Sequence, residues 1–172
     1  AVEVFCLKEG VMDKVASTRT PQPVLALVEM LDVPIETFAN SSFMMMVIDA
    51  QNPGNVGSLL RCAQAAGADG FIVGTTTQGS GAEFYNPKCI RATAGAVFKI
   101  PVAIVKEPNC SLELLGSWGI MRLGAYPAGS VVPAGGSGGV DSSGSVGLYD
   151  VDLKKPLCWV MGNESVGLAP SI

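Results

Sequence analysis

A chain of 172 residues, 48% hydrophobic and 15% charged, holds enough apolar material for one α/β domain with a sizeable core, which excludes a disordered class. Its net charge of −4 gives no general basic footprint, so any nucleic-acid contact must rest on a local patch or on a partner. No apolar run reaches the roughly 18 to 20 residues that a membrane-spanning helix needs.

In chain order, Val2 to Leu7 has the composition of a strand and Lys8 to Ala16 that of a short helix. Ser17 to Pro23 carries two prolines and reads as a linker. Val24 to Met30 and Phe43 to Ile48 are continuous apolar runs of strand length, the pattern of strands buried on both faces of a parallel sheet. Loop residues Asp49 to Gly57 lead into a helix over Ser58 to Ala66, with Gly67 placed to end it, and then into a strand at Gly70 to Val73. Strand, loop, helix and strand in this order make a βαβ unit. Asn86-Pro87 opens a second helix extending to Ala96, since proline suits the first helical position. A strand at Ile100 to Val105, a helix at Ser111 to Ser117 and a strand at Ile120 to Ala125 follow. Gly129 to Gly147 is rich in Gly and Ser and reads as a mobile insertion, and Leu157 to Met161 is the last strand. The expected architecture is an open, mostly parallel α/β sheet with flanking helices.

Several chemistries are excluded. The chain has no histidine, which removes Ser-His-Asp and Cys-His catalysis. Its five cysteines (Cys6, Cys62, Cys89, Cys110, Cys158) form no CxxC pair, so no metal site is expected. They suggest reduced, mostly buried thiols in an intracellular reducing compartment, either cytoplasm or an organelle such as the mitochondrion. Gly54 and Gly57 do not make the GxGxxG of a dinucleotide fold, and no Gly-Lys-Ser/Thr occurs.

Three blocks in order resemble the SpoU/TrmH RNA ribose 2′-O-methyltransferases of the SPOUT superfamily. They are Asn52-Pro53-Gly54-Asn55-Val56-Gly57-Ser58-Leu59-Leu60-Arg61-Cys62-Ala63, then Asn86 to Val102 around Asn86-Pro87-Lys88-Cys89-Ile90-Arg91, and Val160-Met161-Gly162-Asn163-Glu164-Ser165-Val166-Gly167-Leu168. Thr20-Pro21-Gln22-Pro23 also resembles the junction between an RNA-recognition domain and the catalytic domain. On this basis residues 1–20 would end an N-terminal RNA-recognition domain and linker, and residues 21–172 would be methyltransferase domain.

The resemblance implies the trefoil-knot type of α/β fold and the cofactor S-adenosylmethionine (S-adenosyl-L-methionine). It also implies methyl transfer to a ribose in ribosomal or transfer RNA, and a homo- or heterodimer. Asn55, Arg61 and Glu164 would be catalytic, with Asn55 and Glu164 orienting Arg61. Since a guanidinium keeps its proton, clamping phosphate and positioning the ribose suit Arg61 better than acting as a base. Arg61, Asn86, Lys88 and Arg91 would contact RNA. Tyr126, Pro127, Ala128, Met161 and Gly162 would line the cofactor site. The family's knot-forming C-terminal block would follow Ile172, so residues 1–172 alone are expected to be inactive. The alternative is an inactive methyltransferase-fold scaffold that binds RNA or protein, for example in ribosome assembly.

Overall fold

Among the described residues five short segments, all but the fourth wholly apolar, become strands: β1 (Phe43–Ile48), β2 (Gly70–Gly74), β3 (Val102–Val105), β4 (Met121–Gly124) and β5 (Leu157–Met161). They join in one sheet of order β3-β2-β1-β5-β4, and each neighbouring pair is parallel. This computed structural model describes residues 2–76, 81–126, 147–169 and 172. The predicted insertion at Gly129 to Gly147 lies, except for Gly147, outside the described residues.

The continuous apolar character of β1 has a direct cause. Met45 and Val47 point to one side of the sheet, into a core shared with Val56, Leu60 and Ala63 of α2 (Pro53–Ala65) and Cys89 of α3 (Pro87–Ala92). Met44, Met46 and Ile48 point to the other side, into a core shared with Leu112 and Leu115 of α4 (Pro108–Ser117). A strand covered on both faces has no polar positions to alternate with. Phe38, in a 3-10 turn at Ile35–Phe38, adds to this second core.

Gly57 sets the crossing of α2 over α3. A Cβ there would lie 2.5 Å from the Cys89 carbonyl oxygen and 2.6 Å from the Ala92 Cβ. The bare backbone at Gly57 thus makes its close approach to a neighbouring helix.

From β1 the chain steps outward through α2 to β2 and on to β3. It then crosses by α4 to the far edge, β4, and returns to β5 beside β1. The direction of winding therefore reverses between β1 and β5, which leaves a crevice at their carboxyl ends, where open α/β sheets bind ligands. The register brings these ends level, with Val47 opposite Met161 and, on the other flank, Ile48 opposite Gly74.

Two compact units divide at Met30/Leu31. The second holds the sheet. The first contains α1 (Val11–Val15), shorter than the helix predicted over Lys8 to Ala16. Two expected strands are absent: among the described residues Val2 to Leu7 and Val24 to Met30 form no ladder. Their apolar side chains are exposed, Leu27 fully so, and a strand without a hydrogen-bonded neighbour has nothing to define it. The helix predicted to reach Ala96 also ends early. Ala94 and Gly95 turn into the left-handed region with φ of 48° and 85°, and the chain then makes one 3-10 turn at Ala96–Phe98. The helix starting at Ser58 in the sequence reading begins five residues sooner, because Asn52 caps it and Pro53 fits its first position.

Candidate active site

Three loops meet at the carboxyl ends of β1 and β5 and at the neighbouring end of β2. The β1–α2 loop is the first. Asn52 caps α2 by accepting the Gly54 N–H at 2.9 Å. This fixes the first turn and carries Asn55 onto the helix facing the β5 loop.

Glu164 comes from that β5 loop. Its carboxylate accepts hydrogen bonds from the Asn55 side-chain amide at 3.0 Å, from the Gln51 N–H at 3.1 Å and from the Asn52 N–H at 3.3 Å. Burial pushes the Glu164 pKa upward, but these bonds and one from its own backbone outweigh it, so the carboxyl lies below its ordinary 4.5. The carboxylate is thus ionised across the neutral range, and it offers an anion to the first turn of α2, where the helix dipole favours one.

The loop carrying Glu164 is held by its own neighbours. Buried Asn163 accepts from the Ser165 and Val166 N–H groups at 2.8 and 3.2 Å, and pairs backbone to backbone with Gly167 in both directions. Gly162 allows this tight turn, since a Cβ there would lie 2.3 Å from the Gly167 carbonyl carbon. The Asn163 amide reaches across to donate to the Asp49 carbonyl at 2.9 Å. Asp49 has φ 53°, and its carboxylate accepts from the Thr76 N–H and hydroxyl at 2.8 and 2.6 Å.

The structure therefore brings together Asn55 and Glu164 of the expected catalytic set. Arg61 lies on the same helix as Asn55 but is exposed, and it forms no hydrogen bond or ion pair with another described residue. Its six-residue offset from Asn55 rotates it by about 120° around the helix axis, so it does not share the Glu164 contact. Asn86 caps α3 by accepting the Lys88 N–H at 2.9 Å, while Lys88 and Arg91 are exposed on that helix. Met161 and Gly162 follow the β5 backbone into the site, and half-buried Tyr126 follows β4. Pro127 and Ala128 lie outside the described residues.

Asp49, Thr76 and Asn163 had no role in the sequence reading. An acidic residue after a strand and a threonine two residues past the next strand read as solvated loop residues. Only the parallel register, which sets their two loops side by side, turns them into a pair.

Several known proteins are similar to this chain over most of its length. A 23S rRNA (uridine(2479)-2′-O)-methyltransferase of Streptomyces viridochromogenes is 31% identical over 151 residues, covering 87% of this chain and 48% of its own length. A 23S rRNA (guanosine(2553)-2′-O)-methyltransferase of Bacillus subtilis is 34% identical over 113 residues, covering 66% of this chain and 43% of its own length. Among solved structures, the AdoMet-bound rRNA methyltransferase of Sinorhizobium meliloti superposes with a TM-score of 0.70 at 27% identity, over 94% of this chain and 56% of that one. The chain thus spans about half the length of the relatives it matches. The model of the SpoU rRNA Methylase family matches residues 42–172, a span that contains the five described strands, and the chain belongs to that family.

Proposed function

We propose that the chain belongs to the catalytic domain of an S-adenosylmethionine-dependent RNA 2′-O-methyltransferase acting on a ribose in ribosomal RNA. The observation that carries this reading is the Asn55–Glu164 contact, held at the β1/β5 crevice by residues of two separate family blocks. The acceptors named in the relatives are 23S rRNA nucleotides, which favours ribosomal over transfer RNA.

The residues at the ends of β4 and β5 suit the cofactor. Gly124 to Tyr126 and Met161-Gly162 lie side by side, tied by an Ala125 N–H bond to the Val160 carbonyl at 2.9 Å. The Tyr126 ring and the polarizable Met161 side chain are half-buried, an apolar setting with backbone groups nearby that fits an adenosyl group. When bound, S-adenosylmethionine supplies a methyl group on a sulfonium centre, open to attack by a ribose oxygen.

The protein's part is positioning and electrostatics. Asn55 and Glu164 fix the first turn of α2, and Arg61, further along the same helix with its guanidinium uncommitted to described neighbours, is assigned to the RNA phosphate beside the target ribose. Lys88 and Arg91 on α3 are assigned to further phosphates. We extend the reading to a homo- or heterodimer in an intracellular reducing compartment. The five thiols are free, in keeping with the latter, but Cys6, Cys62 and Cys110 are exposed and only Cys89 and Cys158 buried, so the expectation of mostly buried thiols does not hold.

The test is transfer of labelled methyl from S-adenosylmethionine to ribosomal RNA transcripts by the full-length protein. Wild type should transfer. Arg61→Ala should lose about tenfold to a hundredfold in kcat/KM, the worth of one charge-assisted hydrogen bond. Arg61→Lys should recover part of that. Binding of ribosomal RNA without cofactor binding or transfer would instead establish a scaffold.

A further inference from the structure

Asp49 closes β1 in a backbone conformation that a non-glycine residue rarely adopts, with φ 53°. All its polar groups are engaged. Its N–H donates to the Gly74 carbonyl at 3.0 Å, and its carbonyl accepts from the Asn163 amide at 2.9 Å. Each carboxylate oxygen takes one donor of Thr76, the N–H at 2.8 Å and the hydroxyl at 2.6 Å. The next carbonyl, that of Ala50, accepts the Ala82 N–H at 2.7 Å. One residue thus binds the ends of β1, β2 and β5. The left-handed turn it makes redirects the chain, so that the N–H groups of Gln51 and Asn52 point at Glu164.

We propose that Asp49 is a positioning residue for the methyl transfer: its strained backbone, held open by the two Thr76 contacts, sets the loop that delivers Asn55 to Glu164. This rests on the methyltransferase reading above. The side chain matters as an acceptor matched to two donors of one residue, and the backbone matters as a left-handed turn. The two requirements are separable by substitution. Asparagine tolerates the left-handed region and keeps both contacts, its oxygen taking the Thr76 N–H and its amide donating to the rotated hydroxyl. Glycine adopts the turn freely but offers Thr76 nothing. Alanine meets neither requirement.

Two measurements on the full chain test this. In methyl transfer, Asp49→Asn should stay within about threefold of wild type. Asp49→Gly and Asp49→Ala should lose about tenfold to a hundredfold in kcat, with the dissociation constant for S-adenosylmethionine within about twofold of wild type. By carbon-13 NMR titration, the Glu164 carboxyl should move up toward 4.5 in Asp49→Gly and stay low in Asp49→Asn. An Asp49→Gly protein with wild-type kcat and a wild-type Glu164 titration overturns the proposal, since the turn alone would then suffice. If wild type transfers no methyl group, the enzymatic reading fails, and the Glu164 titration still decides whether Asp49 positions the loop.

Discussion

Asn55 and Glu164 are both exposed, so their hydrogen bond contributes little to stability by itself, and its value must lie in geometry. A charge swap isolates it. Asn55→Asp sets two carboxylates face to face and should lower the unfolding midpoint at pH 7. Adding Glu164→Gln restores a donor–acceptor pair of reversed polarity and should recover part of the loss. Urea unfolding of the two single variants and the double variant measures the coupling, expected at about 1 kcal/mol. If the double variant is no better than the sum of the single ones, the two side chains do not act together. Acidification tells the same story. A carboxyl held below 4.5 in the folded state lends stability that is present at neutral pH, and that stability is lost as pH falls through the folded value.

At the scale of elements, the contact of α2 with α3 turns on Gly57. Alanine would favour the helix there by about 1 kcal/mol through propensity. Its Cβ, however, would meet a backbone carbonyl at 2.5 Å, which has no flexible end to yield. Overpacking of this kind costs about 1–3 kcal/mol, so Gly57→Ala should be net destabilising and Gly57→Val more so, as read from thermal midpoints. An unchanged midpoint in Gly57→Val would mean that the helices are not packed as described.

The elements differ in how far the sequence discloses them. β1, β2 and β5 were legible because burial on both faces leaves an unbroken apolar run, as in Phe43 to Ile48. The same signal misled at Val2 to Leu7 and Val24 to Met30, since an apolar run says nothing about whether a neighbouring strand exists to pair with. The end of α3 was hidden because Ala94, a good helix former, takes a left-handed conformation that its side chain does not announce. For the site, Asn55 and Glu164 were marked by family motifs, whereas Asp49 and Thr76 acquire meaning only from strand register.

For the molecule as a whole, two thiols couple stability to alkaline pH. Burial raises Cys158 to about 12 and Cys89 to about 11 from an ordinary 9.0. In the unfolded chain both ionise near 9, while in the folded chain they hold their protons, so folding favours the protonated state. Their contribution is fully present below pH 9 and declines as pH rises toward 11 to 12, by up to about 1.4 kcal/mol per pH unit for each thiol. Replacing Cys158 with alanine leaves a small cavity at every pH but removes one thiol's share of the decline. The stability gap between wild type and Cys158→Ala, measured by urea at pH 7 and pH 10, should therefore narrow. A constant gap would show that this thiol does not sense pH.

The strand order also has a consequence in time. β1 lies at the centre of the sheet, yet its partner on one side, β5, is the last of the five described strands in chain order, and Phe43 must wait for Leu157. As the chain emerges during synthesis, β1, α2, β2 and β3 can assemble early, leaving one edge of the methionine-rich central strand unpaired until residue 161 is available. Pairings of such separation are slow to form and expose sticky edges while they are pending. A nascent chain halted before β5 should be a substrate for holding chaperones, and release past β5 should coincide with a gain of protease resistance by β1 and its described neighbours.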